Sequence, residues 1–106
     1  MNQTTKDFKM TQEVNLVILI EVQLGKSEEQ INLYNKIKPL VLAERGCLQY
    51  ELSKVSGSAV KFVLLERWES EEALAAHDVT PHMIEADAIS PSFRSGPVSV
   101  LELNNV

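Results

Sequence analysis

Two stretches of this chain are apolar on both faces of an extended strand, and that narrows the folds open to it. From Val14 to Leu24, residues Val14, Leu16, Ile18, Ile20, Val22 and Leu24 fall on one face at period two. Val17 and Leu19 make the middle of the opposite face apolar as well. From Val60 to Trp68, Val60, Phe62, Leu64, Glu66 and Trp68 share a face, with Val63 and Leu65 on the other. Strands of this kind lie in the middle of a sheet, and both faces of that sheet need a cover.

The segments between them supply one cover. Gly25 and Lys26 break the first strand, and Ser27 with Gln30 three residues later has the form of a helical capping box. Ile31, Tyr34, Ile37, Leu40 and Val41 follow at helical spacing, and Gly46 suits the residue just past the helix end. Pro39 inside this span predicts one bent helix. Cys47 to Val55 reads as a strand with Leu48, Tyr50 and Leu52 on one face, joined by Ser56, Gly57 and Ser58 to Val60–Trp68 in a hairpin. Ser70 caps a short helix. Thr80 at N-cap and Pro81 at N1 start another, with Met83, Ile84 and Ala88 expected inward. Residues 91–97 read as a loop and Val98 to Leu103 as a last strand.

The order is β-α-β-β-α-β, an α+β ferredoxin-like arrangement whose helices cover one face of a four-stranded antiparallel sheet. The face carrying Val17, Leu19, Val63 and Leu65 has no helix left to cover it. A second copy of the same sheet is the simplest cover, so the pattern predicts a homodimer. Its 106 residues fit one domain, expected over 13–106, with 1–12 a disordered tail in which Met10 could serve as an alternative start.

Composition removes several functions. A net charge of −5 disfavours nucleic acid and anionic lipid as partners. The longest apolar run, Leu16 to Ile20, is too short to cross a membrane, and the polar N-terminus lacks the apolar centre of a secretory signal. The single cysteine, Cys47, excludes an internal disulfide and suits a reducing, cytoplasmic setting.

Glu66-Arg67-Trp68-Glu69-Ser70-Glu71-Glu72-Ala73-Leu74, then His77, then Thr80-Pro81-His82-Met83, resembles the signature region of the antibiotic biosynthesis monooxygenase family. Gly46-Cys47-Leu48-Gln49-Tyr50 matches an earlier landmark of that family, and the likeness is strongest to its quinol-monooxygenase type. The resemblance implies a dimeric α+β barrel that oxygenates aromatic or quinol substrates without metal, flavin or haem. Ile18 stands where haem-degrading members carry asparagine, which argues against a haem role. Trp68 is shared with the anthrone oxygenases of the family, but their other polar pocket positions fall on Leu64, Leu74 and Ala88 here.

Triplet oxygen reacts slowly with closed-shell molecules, so a cofactor-free oxygenase must first ionise its substrate to an electron-rich anion. That needs a base, an apolar pocket and exclusion of water. His77 and His82 are the only histidines and the catalytic candidates. Helix dipoles favour a protonated His77 at one helix end and a neutral His82 at the start of the next, so His82 is expected to be the base and His77 the anion stabiliser. Trp68, Tyr50, Phe62 and Phe93 are expected around the substrate, with Glu66 held by Arg67, Lys61 or the partner copy. The two histidines have Pro81 between them and no third ligand at suitable spacing, so no metal site is expected. Two other readings fit these residues. One is an isomerase of a phosphorylated carbonyl compound, using Arg67, Lys61 and Arg94 as cations. The other is a dimeric binding or stress module without turnover.

Overall fold

The computed structural model describes residues 12–106, so nearly all of the expected tail, with Met10, lies outside the described residues. The elements are β1 (Val14–Glu21), α1 (Ser27–Leu42), β2 (Cys47–Lys54), β3 (Lys61–Trp68), α2 (Glu71–Asp78), α3 (Pro81–Ile89), a 3-10 turn (Ser90–Ser92) and β4 (Ser99–Leu103). The four strands form one antiparallel sheet in the order β2-β3-β1-β4, as a ferredoxin-like arrangement requires. The two doubly apolar strands pair at its centre, with Val14 opposite Trp68, Ile18 opposite Leu64 and Ile20 opposite Phe62.

Those six residues face the helices. Ile37 and Val41 of α1 and Ala86 of α3 close the core over them. On the other face, Leu19 is 43% exposed and Leu101 and Leu103 are each 50% exposed, beside half-buried Val17, Val63 and Leu65. One copy leaves this apolar face open.

Several local expectations are corrected. Leu48 does not share the face of Tyr50. A bulge between Cys47 and Gln49 inserts an extra residue opposite β3, so Cys47 and Tyr50 point into the core and Leu48 is 46% exposed. No capping box forms at the start of α1: Lys26 is the N-cap residue, Ser27 donates its hydroxyl to the carbonyl of Ala59 at 2.6 Å, and Gln30 turns inward. The helix runs unbroken through Pro39 to Leu42, where the missing N–H falls on an exposed position. Leu40 is half-exposed, outside the inward stripe of Gln30, Ile37 and Val41. In α3 the inward stripe is Met83, Ala86 and then Ser90, while Ile84 is 59% exposed and Ala88 is exposed too.

Two junctions hold the layers together. Gly46 has φ +86°, and a Cβ there would meet Ala73 Cβ at 2.6 Å and Glu69 Cγ at 2.8 Å. Only glycine permits both the left-handed backbone and this approach of β2 to the start of α2. The expected loop 91–97 is tied to the end of β1: Gln23 N–H donates to the Phe93 carbonyl, Ser95 N–H to that of Glu21, and Arg94 bridges to Val22.

Candidate active site

A cavity of about 200 Å³ lies between the sheet and the helices. Its apolar walls include Ile18, Leu52 and Leu64 from the sheet, Leu33 and Ile37 from α1, and Met83 from α3. Its polar groups are Glu66, Tyr50, His77, Gln30 and Arg94, with exposed Asp78 and Asp87 at the rim.

His77 sits in the last turn of α2 and is 2% exposed. Ser70 accepts from Ala73 N–H to start α2, and Thr80 both donates to the His77 carbonyl and accepts from Met83 N–H to start α3. Thr80 thereby fixes the corner between the two helices, and the corner turns both histidines toward Glu44, beyond the end of α1. His77 Nδ1 lies 3.0 Å from each Glu44 oxygen, and His82 Nε2 lies 2.6 Å from Glu44 Oε2. A carboxylate only accepts, so a hydrogen on His77 Nδ1 is the one that meets Glu44, and the same residue lines the cavity. The His77 ring also packs against Trp68, with centroids 4.5 Å apart, and meets Tyr50 edge-on at 6.0 Å. Carboxylate, imidazole and cavity stand in an order that could serve as orienter, base and substrate site in general-base catalysis.

Glu66 is 4% exposed and sits on the cavity face of β3. Its partner is not Arg67, which points to the open face and pairs with Glu13 at 2.8 Å, nor the exposed Lys61. Trp68 Nε1–H donates to Glu66 Oε1 at 2.9 Å. Burial pushes the carboxyl above the ordinary carboxylate range, and the indole bond and the nearby His77 only partly offset it. The folded state therefore holds this proton more tightly than the unfolded chain. Glu66 favours the fold at acid pH and loses that contribution as pH rises from the ordinary carboxylate range through its raised folded value. Glu66→Gln keeps an oxygen for Trp68 without a charge. It should raise the melting temperature at about pH 8 and change it little at about pH 4. Equal shifts at both pH values would contradict a carboxyl raised by burial.

Burial, followed by the charge of Glu66, also raises the Tyr50 phenol, which keeps it a hydrogen-bond donor. Tyr34 stacks on Tyr50 at 5.9 Å and donates to its backbone carbonyl.

Of the residues expected around the substrate, the structure brings Tyr50, Glu66 and His77 to the cavity. Trp68, Phe62 and Phe93 do not line it: they are buried in the core, because they end or flank the strands where the layers pack most tightly. His82 also lies off the cavity, beside a separate hollow of about 60 Å³ between α1 and α3, and reaches His77 only through Glu44. Sequence reasoning missed Glu44 and the inward Gln30. Among the described residues no cluster of three or more His, Cys, Asp or Glu is placed to hold a metal ion.

The profile of the family described as antibiotic biosynthesis monooxygenase matches residues 14–88. The chain is 32% identical over 82 residues to the Bacillus subtilis (strain 168) protein named "Putative monooxygenase YcnE", covering 77% of this chain and 86% of that one. It is 34% identical over 80 residues to the Escherichia coli (strain K12) protein named "Probable quinol monooxygenase YgiN", covering 64% and 77%. Among solved structures it is similar to PA3566 from Pseudomonas aeruginosa, with TM-score 0.83, 24% identity, and 92% and 97% of the two chains covered. It is also similar to Rv0793 from Mycobacterium tuberculosis, with TM-score 0.82, 24% identity, and 90% and 96% covered. At that identity the two structures speak for the fold alone.

Proposed function

The chain belongs to the antibiotic biosynthesis monooxygenase family, and from that premise we propose that it oxidises a small quinol-like aromatic compound with O2, without a bound cofactor. The observation that carries this reading is His77, buried, oriented by Glu44 and facing a largely apolar cavity beside Glu66. His77 Nε2 takes the phenolic proton, Glu44 stabilises the imidazolium that results, and the phenolate passes one electron to O2. The radical pair then combines to a C–O bond. Glu66, whose pKa burial raises, can hydrogen-bond to the new peroxide oxygen when it carries its proton.

A cavity of about 200 Å³ favours one ring over a polycyclic guest; a site of about 150 Å³ already accepts benzene. The isomerase reading is weaker, because a phosphate wants clustered cations. Only Arg94 borders the cavity, while Lys61 and Arg67 are exposed elsewhere. A binding module without turnover would use the same walls.

The open sheet face supports a homodimer with the sheets face to face. No helix among the described residues is long and apolar enough to cross a membrane. A reducing, cytoplasmic setting is the reading that the free Cys47 supports.

Oxygen uptake with a panel of one-ring quinols, in the presence of a metal chelator, tests the proposal. Uptake that depends on the protein and survives the chelator supports it. Proton exchange at a carbonyl substrate without oxygen would favour the isomerase, and binding without either reaction would favour the module.

A further inference from the structure

Among the described residues, Arg94 is the only arginine or lysine that borders the cavity. Its backbone is fixed: its N–H donates to the Ser90 carbonyl, its carbonyl accepts from Gln23 Nε2, and it bridges to Val22. Its side chain is fixed too, because Nε donates at 3.0 Å to Oε1 of Gln30, which is 3% exposed. Gln30 is neutral and leaves the two terminal nitrogens of the fork unassigned. The ion pairs found among the described residues do not include Arg94. Asp87 acts on it only at longer range from the exposed rim. Burial pulls the guanidinium below its usual value, as expected for a cation withdrawn from water without a counter-ion. An arginine keeps its proton at neutral pH all the same. A half-buried, permanently charged fork with no carboxylate partner in a mostly apolar hollow is costly until something anionic meets it.

We propose that the Arg94 guanidinium, held by Gln30, is the binding site for an anionic oxygen of the guest, a carboxylate or phenolate oxygen on a single aromatic ring. This rests on the cavity being the substrate site. A planar fork suits a planar oxyanion, which a point charge such as lysine would orient less well. The neighbouring Glu66 opposes an anion less than an exposed carboxylate would, because burial shifts it toward the neutral acid.

Anaerobic calorimetry tests the site without any turnover. The probes are 4-hydroxybenzoate against its neutral isostere 4-hydroxybenzamide, and 4-nitrophenol below and above its own ionisation. The wild-type protein should bind one of the two anions about ten- to a hundredfold more tightly than its neutral counterpart. The pair that shows the preference identifies carboxylate or phenolate. Arg94→Gln should erase the preference by weakening the anion far more than the neutral probe, and Arg94→Lys should keep part of it. Gln30→Glu should erase it with Arg94 still present, by supplying the missing counter-ion from inside. Equal affinities in the wild type, binding of neither pair, or a preference that survives Arg94→Gln would overturn the proposal. Anion preference without oxygen uptake would remove the oxidation and leave this site standing. Oxygen uptake without the preference would do the reverse.

Discussion

His77→Ala is expected to lower quinol turnover by about 10²- to 10⁴-fold, the usual contribution of a placed general base, with a much smaller loss of quinol binding. The imidazole proposed as the base is the group that vanishes, while the cavity walls from β1, β3 and α1 remain. His77→Gln is the control for packing, since alanine leaves a gap beside Trp68. Glu44→Gln should rank next. The amide can still accept from Nδ1, but it no longer offers the charge that favours the imidazolium and can turn its NH2 toward the ring. His82→Ala should cost least, because His82 touches Glu44 and not the cavity. Steady-state kinetics of the three variants would show the order. A His82 variant more damaged in kcat than the His77 variants would reverse the roles assigned to the two rings.

A single charge on the open sheet face is expected to abolish the proposed dimer. Val17 lies at the middle of that face, between Leu65 on β3 and Leu101 on β4. Val17→Asp would place a carboxylate in an apolar interface, at a cost on the order of 3–5 kcal/mol. Twofold pairing applies that cost twice, so the dissociation constant should rise by about 10⁴-fold or more. Sedimentation velocity should show a dimer for the wild type and a monomer for the variant. Asn15→Asp, on the same face but at the pairing row of Arg67 and Leu103, should be far milder. A wild-type protein that sediments as a monomer would end the reading of this face as an interface between copies.

Element order and the inward faces of β1 and β3 could be read from residue spacing, because period two survives in any strand that keeps its register. The face of Leu48 could not. A bulge is a property of two paired strands, and nothing within Cys47–Lys54 marks it. The start of α1 failed for a similar reason: Ser27 meets Ala59, 32 positions away, and Gln30 meets Arg94, 64 positions away. Local capping signals lost to these distant partners. His77 and His82 stood out as candidates by being the only two histidines, but the helix dipoles spoke only to their charge and not to which of them borders the cavity. What decides their geometry is Glu44, more than thirty residues earlier in the chain. The signal that could have found it is the Thr-Pro corner between two short helices, which presents both imidazoles to one side, together with the need for an acceptor there.

The cavity draws its parts from separable lengths of chain. Glu66 and His77, the groups proposed to handle protons, come from β3 and α2, held by Trp68 and Glu44. Arg94 and Val98 come from the connection between the 3-10 turn and β4, a short span fastened to β1 mainly through its main chain. Main-chain fastening is indifferent to which side chain stands at each position. That span can therefore be rewritten to alter the shape or charge of the cavity while β3 and α2 are inherited intact.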